Sequence, residues 1–487
     1  MKQPLDLSSF NHFYLMGIKG VAMTSIAQIL LDFGKKVSGC DVEENFVTQK
    51  QLQRLGLQDK IKLSFAHQLA ADVDCLIYTS AHGGPANPLV KQAQEKNIAC
   101  ISQAEALAYF FNKKQGIAIC GVGGKSTVSA MLSWIFFKLN QDVSFSVGVG
   151  DIIGLGKTGQ LTPESKFFIA EADEYVTDPQ ALDRGEEIEP RFAFMQPYIT
   201  VCTNLEYDHP DVYPDFTATK CTFAQFFSQI QSGGHLIFNA CNKPLQELIQ
   251  QNQSSLAEKN IQTFSFGEKN GADLQLIENR VEDQQNIGIF QYQKQKYTLK
   301  LQVPGKFNLF NALAALAAAL TAGIKIEAAI QALASFQSTM RRFELVGEKN
   351  GVIYLDDYAH HPHEIVKTVQ AFADWYPDKK RYIAFQPHTY SRTKQLFTEF
   401  VQALADSQKQ LEQIILLDIF ASAREKYDAS VSSDMLVTAV KEKFPTAKII
   451  NLKTIKSLAD FSTNQLQAGD ALLTMGAGDI YQVHELL

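Results

Sequence analysis

The chain has 487 residues, too many for a single hydrophobic core, and length alone favours about three domains. Its 46% hydrophobic and 20% charged residues are ordinary globular composition, which excludes a disordered or low-complexity protein. The 52 acidic against 45 basic residues leave a net charge of -7 with no long run of Lys or Arg, which argues against a nucleic-acid partner.

The N-terminus MKQPLDLSSF is polar, and from there strands alternate with helices nearly throughout, the pattern of an α/β protein with parallel sheets. A strand from His12 to Met16 leads through Gly17-Ile18-Lys19-Gly20-Val21-Ala22-Met23 into a helix from Thr24 to Asp32. The next strand ends in Val37-Ser38-Gly39-Cys40-Asp41. This is a Rossmann-like beginning, with a tight glycine turn setting a helix N-terminus over a phosphate and an acid placed for a ribose or base. Only two of the three fingerprint glycines are present and Met23 stands where the third might fall, so a diphosphate site and a purely structural turn both stay open. The polar FFNKKQ stretch closes this unit and sets a first domain at 1–113.

A second apolar run (Ile117, Ala118, Ile119, Cys120) breaks into Gly121-Val122-Gly123-Gly124-Lys125-Ser126-Thr127 and then into a helix pattern. It reads as a phosphate-binding loop of the short form GxxGK[ST], since Ile119 stands where the longer form has its first glycine. Glycines let backbone N–H groups face an anion, the helix N-terminus adds partial positive charge, Lys125 reaches the β and γ phosphates of ATP, and Ser126 ligates Mg²⁺. A glycine-rich turn with a solvated lysine is the structural alternative.

The next strand, Phe167 to Ala170, delivers Glu171-Ala172-Asp173-Glu174-Tyr175 at its C-terminal end, where open α/β sheets hold ligands and where carboxylates facing a phosphate loop suit Mg²⁺. The strand Tyr198 to Cys202 ends in Thr203-Asn204-Leu205-Glu206-Tyr207-Asp208-His209-Pro210-Asp211, and its one His could coordinate a second ion. Glu171 and His209 are the ligand candidates, whereas Glu174, Glu206 and Asp211 are expected to be solvated loop acids. The Ala-rich run from Ala312 to Ala322 is too short to span a membrane and reads as a buried helix. The central domain is therefore 114–338.

The last domain, 339–487, opens with Arg341-Arg342-Phe343-Glu344. Its strands end in Asp356-Asp357-Tyr358-Ala359-His360-His361-Pro362, in Gln386-Pro387-His388-Thr389-Tyr390-Ser391-Arg392-Thr393 and in Met475-Gly476-Ala477-Gly478-Asp479, three polar strand ends that imply a ligand edge. Seven cysteines, an odd number without a CxxC pair and mostly in apolar runs, read as reduced core residues of a cytoplasmic protein. A soluble, unexported protein with no membrane partner is expected.

These motifs together resemble the ATP-dependent Mur ligases of peptidoglycan synthesis. The resemblance covers nearly the whole chain: GIKGVAM and VSGCD, then CGVGGKST, EADEY, NLEYDHPDVY and PGKFNLFNALAA, then RRFE, DDYAHHP, FQPHTYSRT and TMGAGDIY. The DDYAHHP, QPH and MGAGDI strings look most like the member that joins L-alanine to UDP-N-acetylmuramate. It implies a Rossmann-like N-terminal domain, a P-loop central domain and a Rossmann-like C-terminal domain acting on those two small molecules with ATP and two Mg²⁺ ions, as a monomer or weak homodimer. By resemblance, Gly17, Lys19, Gly20, Asp41, Ser80 and Asn87 would hold the UDP substrate. Gly121, Gly123, Gly124, Lys125, Ser126 and Thr127 would hold ATP phosphates, with Asn308 or Asn311 at adenine, Arg342 on the phosphates and Asp357 at the ribose. Ser126, Glu171 and His209 would bind metal, and His360, His388 and Arg392 would line the amino-acid site. Lys125, Glu171, His209, His360 and Arg392 are the catalytic candidates, and Lys220 lies where several members carry a carbamylated lysine.

Departures from the family pattern are specific. Val122, Gly123 and Ser126 replace the Thr, His and Thr of the usual GTHGKT loop. Lys19 sits where a glycine is common, and Thr389 replaces an arginine common after the QPH histidine. The segment Asp178 to Pro197 and the EYDHPDVY string lean toward the relative that attaches a recovered tripeptide to the same nucleotide, while the third domain argues against it. A degenerate member that binds nucleotide without turnover, and a nicotinamide dehydrogenase built on the first glycine turn, complete the alternatives. The incomplete fingerprint and the phosphate loop that follows it weigh against the dehydrogenase.

Overall fold

A computed structural model describes residues 5–209, 211–421 and 426–487; the first residues of the polar N-terminus and Pro210 of the Asp208 to Asp211 run lie outside them. The chain gathers into two compact units, one of Met1–Glu278, Gly288–Lys300 and Phe310–Phe336, the other of Asn279–Ile287, Leu301–Leu309 and Gln337–Leu487.

The first unit begins with β1 (His12–Met16), β2 (Lys36–Cys40), β3 (Ile61–Lys62), β4 (Cys75–Tyr78) and β5 (Ala99–Ser102), a parallel sheet of order β3-β2-β1-β4-β5. The chain leaves β1 toward one edge and returns through β4 on the other side, so the switch point of this sheet lies past the ends of β1 and β4, the place where sheets of this kind take ligands. Gly17 follows the first of these strands and Ser80 follows the second.

The second sheet comprises β6 (Gln115–Cys120), β7 (Ser144–Ser146), β8 (Gly159–Gln160), β9 (Phe167–Glu171), β10 (Ile199–Cys202), β11 (His235–Asn239), β12 (Gln262–Gly267), β13 (Leu274–Glu282), β14 (Gln285–Tyr292) and β15 (Gln295–Leu301). Its order is β15-β14-β13-β12-β11-β10-β6-β9-β7-β8, with β6 paired in parallel to both β9 and β10. The switch point thus falls at β6, whose end is the phosphate loop. Two-residue turns at Asp283-Gln284 and Gln293-Lys294, all four residues with φ between 48° and 68°, join β13, β14 and β15 as hairpins. The alternating strand and helix pattern did not anticipate this departure.

FFNKKQ is no loose linker. Phe110 and Phe111 are 3% and 0% exposed, and Phe111 meets Phe168 of β9 edge-on at 6.0 Å. Asn112 fastens the same place, donating to Phe194 O at 2.9 Å and accepting from Gln196 N at 2.8 Å. One core cluster runs from Phe13 and Ile26 to Phe168, Phe192 and Phe226, so the first two sheets share a core with the helices packed against them. The helix Lys306–Thr321 buries its alanines completely from Ala312 to Ala319, as its composition implies.

The second unit is built on β16 (Glu344–Lys349), β17 (Val352–Asp357), β18 (Lys380–Phe385), β19 (Gln413–Leu417), β20 (Ile449–Lys453) and β21 (Asp470–Met475). The order is β16-β17-β21-β18-β19-β20, parallel except for β16. β21 returns between β17 and β18, so the three polar strand ends read from the sequence lie side by side.

Candidate active site

The phosphate loop is bent by two glycines that no other residue could replace without moving a neighbour. Gly121 has φ +118° and a Cβ there would sit 2.3 Å from Thr203 Oγ1; Gly124 has φ +88° and its Cβ would sit 2.5 Å from Asn311 Oδ1. Asn204 Oδ1 accepts from Gly123 N at 3.0 Å, and Thr203 Oγ1 donates to Gly123 O at 2.5 Å. The end of β10 therefore holds the loop in place, and Gly124 caps the helix Lys125–Lys138 that begins at the predicted lysine.

Lys125 lies across this loop, donating to Gly121 O at 2.8 Å and to Glu174 Oε2 and Oε1 at 2.9 and 3.1 Å. Burial works against its charge, but Glu174, Asp173 and Glu171 outweigh it, so the ammonium is held above the ordinary lysine range. Glu174 is 1% exposed. It is no solvated loop acid, because burial without a cation would be prohibitive and Lys125 supplies that cation. Glu206 and Asp211 are exposed as expected, although Asp211 accepts from Tyr175 Oη at 2.8 Å.

Ser126 Oγ donates to Glu171 Oε2 at 3.0 Å, and Glu171 Oε1 accepts from Gly148 N at 2.5 Å. Burial pushes the Glu171 carboxyl up against the pull of those partners and Lys125. His209, with φ +59°, points its ring at Glu174, Nε2 lying 3.6 Å from Oε1 and 3.7 Å from Asp208 Oδ2. Burial would lower its pKa, yet Glu174, Asp208 and Asp173 raise it. Asp173, Glu174 and His209 offer ligand atoms that all lie within 4.8 Å of one another. Two carboxylates and an imidazole beside a phosphate loop fit a divalent cation that also meets phosphate oxygens. Glu171 with Ser126 forms a separate pair of oxygens, so the predicted metal residues fall into two groups.

Along the N-terminal edge, Asp41 is 1% exposed and grips the first glycine turn: Oδ2 accepts from Lys19 N at 2.7 Å and Oδ1 from Val42 N at 2.8 Å. Burial raises its pKa against those N–H groups. Lys19 Nζ donates to Val42 O and Glu44 O at 2.6 and 3.0 Å, folding the chain over Gly17 and Gly20. Asn87 caps the helix Pro88–Glu95 through Leu89 N at 2.9 Å and donates to His82 O at 2.8 Å. His82 in turn lies 3.7 Å from Asp41. Ser80 accepts from Arg191 at 2.5 Å.

The second unit holds the rest of the predicted set except Asn311 and Lys220, which belong to the first. Asp357 accepts from Phe343 N and Ala359 N, both at 2.7 Å, and burial lifts its carboxyl to about 6 against Arg342 and these N–H groups. Arg342 lies over the Tyr358 ring at 5.1 Å. Its neighbour Arg341 is structural: 6% exposed, paired with Asp356 at 2.8 Å and bonded to Gly476 O and Gly478 O. His360 Nδ1 meets Tyr358 O at 3.0 Å, and burial lowers its pKa despite Glu364. Its ring is 6.3 Å from that of His388, which stacks on Phe420 at 5.6 Å, and Arg392 is close enough to oppose its protonation. Asn308 is buried and donates to Pro304 O at 2.7 Å. Lys220 lies over Phe216 at 5.1 Å in the helix Phe216–Ser228.

Sequence reading took Glu174 for a solvated acid and assigned no role to Asp173, His82, Thr203, Asn204 or Arg191. The first two stood in the quoted EADEY string and could have been found by asking which acid would neutralise a buried loop lysine. Thr203 and Asn204 open the quoted run after β10, where ligand edges form. No local signal marks Arg191.

Three family profiles match: one described as Mur ligase family, catalytic domain, over residues 12–115; one as Mur ligase middle domain over 119–319; and one as Mur ligase, glutamate ligase domain over 341–478. A UDP-N-acetylmuramate--L-alanine ligase of Clostridium botulinum is 36% identical over 481 residues, 98% of this chain and 97% of that protein. The enzyme of the same name from Clostridium acetobutylicum is 36% identical over 484 residues, 99% and 98% of the two chains. Among solved structures, the UDP-N-acetylmuramate-alanine ligase of Thermotoga maritima aligns with TM-score 0.77 at 21% identity, covering 98% of this chain and 97% of its own. A murein peptide ligase of Psychrobacter arcticus aligns with TM-score 0.68 at 21% identity over 98% of each chain, and these two likenesses speak to the fold.

Proposed function

The chain belongs to the Mur ligase family, and on that premise we propose that it is an ATP-dependent ligase joining L-alanine to the carboxylate of UDP-N-acetylmuramate in peptidoglycan precursor synthesis, through an acyl phosphate that leaves ADP and phosphate. The observation that carries this reading is the convergence of a glycine-bent phosphate loop, its lysine and a cluster of acids around the buried Glu174 at the switch point of one mostly parallel sheet. The reading takes 1–113 as the nucleotide-sugar domain, 114–338 as the ATP domain and 339–487 as the amino-acid domain. Seven free cysteines, four of them buried, suit a reducing cytoplasm.

A carboxylate does not react with an amine at neutral pH, so its oxygen must first become a leaving group. Attack of that oxygen on the γ-phosphorus does this and expels ADP. Lys125, exchanging Glu174 for phosphate oxygens, and the N–H groups of Gly121 to Gly124 offset the charge on the transferring group. Ser126 and Glu171, and Asp173, Glu174 and His209, are the groups that would hold Mg²⁺, which when bound neutralises phosphate charge.

The amine then attacks the acyl carbon and phosphate leaves. The incoming amino acid arrives as an ammonium and must lose a proton first. His360 suits that step: burial keeps its imidazole neutral, and Nδ1 bonded to Tyr358 O leaves Nε2 as the acceptor. His388 and Arg392 accompany it, Arg392 offering a cation for the amino-acid carboxylate. Asn311 at Gly124 is proposed for the nucleotide, and Asn308, Arg342 and Asp357 keep the nucleotide roles that the family resemblance implies.

The test is phosphate release from ATP and Mg²⁺ with UDP-N-acetylmuramate and each of L-alanine, glycine, L-serine or the L-alanyl-γ-D-glutamyl tripeptide, with product mass recorded. Release that depends on L-alanine with the matching mass gain is expected. Tripeptide-dependent release would move the chain to the recycling activity, and nucleotide binding without release would make it a degenerate member.

A further inference from the structure

Arg191 reaches the site by a long excursion of the chain. After β9 the segment from Thr177 leaves the sheet and returns at Pro190, closed by a bridge between Val176 and Pro190 and by Thr177 N donating to Glu189 O at 3.0 Å. Arg191 N donates to Tyr175 O at 2.9 Å, so the residue that ends the excursion is pinned beside the residues that began it. Its guanidinium then spans two edges. Nη1 donates to Asp173 Oδ2 at 2.6 Å, Nη2 donates to Ser80 Oγ at 2.5 Å, and the planar group lies over the Tyr175 ring at 5.4 Å.

The two acceptors belong to different sheets. Ser80 follows β4 on the N-terminal edge, and Asp173 follows β9 within the acid cluster beside Lys125, 3.9 Å from its Nζ. A planar fork fixed at both tips and stacked on a ring sets their separation more strictly than a flexible ammonium could. An acid carried on the N-terminal edge has to be presented to a phosphate held by the loop, and in such a reaction the approach of the two atoms decides the rate.

We propose that Arg191 is a positioning residue which, through Ser80 and Asp173, sets where the acid substrate's carboxylate meets the phosphate loop. The proposal rests on the ligase reading above. It predicts a signature that a merely structural arginine lacks: the rate of the phosphoryl step falls steeply while ATP affinity holds and the melting temperature drops only slightly, by the worth of one partly exposed ion pair.

The variants are R191A, R191K, S80A and the S80A/R191A double, each measured for kcat, for KM of ATP and of UDP-N-acetylmuramate, for calorimetric binding of each substrate alone, and for melting temperature. R191A should lose on the order of 100-fold in kcat with KM for ATP unchanged. R191K should recover only a minor part, because one ammonium cannot hold both acceptors in the same geometry. The double variant should lose no more than R191A, since both changes break one bridge. Additive losses, an unchanged kcat in R191A, or a fall in ATP affinity as large as the fall in kcat would each overturn the proposal. If R191A does not fold, R191K and S80A carry the same comparison. If the wild-type chain forms no amide, the ligase reading fails on that count alone, and the brace is still read from binding: Ser80 and Arg191 must then be non-additive in calorimetric UDP-N-acetylmuramate affinity, and additivity overturns it.

Discussion

The first unit contains two strand–glycine–helix turns of the same outline, Gly17 to Gly20 and Gly121 to Gly124, and they are electrostatic opposites. At the first turn a buried acid already occupies the backbone: Asp41 takes the Lys19 and Val42 N–H groups, and the Lys19 ammonium folds onto backbone carbonyls. At the second, a neutral amide takes one N–H, Asn204 on Gly123, and the charge is gathered into Lys125 and the acids of β9. The first turn is a finished piece of architecture, its acid and its lysine both already paired within the chain. The second keeps a lysine paired to a carboxylate that an anion can displace. Likeness of motif therefore says little about which turn carries chemistry; the partner of the loop's charged residue says more.

The sharpest way to test that contrast is to remove each lysine. K125M should lower kcat on the order of 100- to 1000-fold, and it should also cost about 3 kcal/mol of stability because Glu174 stays buried without its cation. Paired melting curves and turnover assays read both. K19M should leave kcat within a few-fold, since Lys19 bonds only backbone carbonyls and is partly solvated. A K19M loss as deep as that of K125M would erase the distinction.

The glycines come next. G124A forces φ +88° on an L-residue and drives a Cβ to 2.5 Å from Asn311, at a cost of about 2 kcal/mol. G20A sits at φ -62° with its nearest neighbour, Gly17 O, at 3.4 Å, and should cost under about 1 kcal/mol, mainly as a poorer helix cap. ATP affinity by calorimetry should fall in G124A and hold in G20A.

What the sequence revealed and what it hid divides along the same line. The strand His12 to Met16 and the helix that starts at Lys125 were legible because glycine, alternation and apolar runs are local signals. So were the three polar strand ends of the second unit. Glu174 was misread because nothing in the string EADEY says that the chain will bury one acid at 1% exposure beneath a lysine 49 positions earlier. Arg191 was invisible for a stronger reason: its place depends on the closure of the excursion from Thr177 to Pro190 and on two partners, 18 and 111 positions away. The hairpins of β13 to β15 were missed because their turns, Asp283-Gln284 and Gln293-Lys294, adopt positive φ without the glycine that usually announces it.

The smallest expected effect is the most selective, because the acids at the two turns should respond to pH with opposite sign. Burial raises Asp173, but Arg191, Lys125 and His209 bring it from its ordinary 3.8 down to about 2. The native chain then binds fewer protons than the unfolded one in that interval, so the stability Asp173 contributes is complete above about pH 4 and is lost as pH falls toward 2. D173N should lower the melting temperature near neutrality by an amount worth about 1 kcal/mol, given its partial exposure, and should flatten the acid limb of the profile. Asp41 is raised instead, so the native chain binds more protons than the unfolded one, and the stability linked to it is complete below pH 3.8 and declines as pH rises through its folded value. D41N removes that decline. The difference in melting temperature between D41N and wild type should therefore shift in favour of D41N as pH rises from 4 to 7, while the D173N difference becomes more unfavourable between pH 2 and 4 and then stays flat. Two profiles of the same sign would mean that both acids answer to the same environment and that the two turns are not opposites.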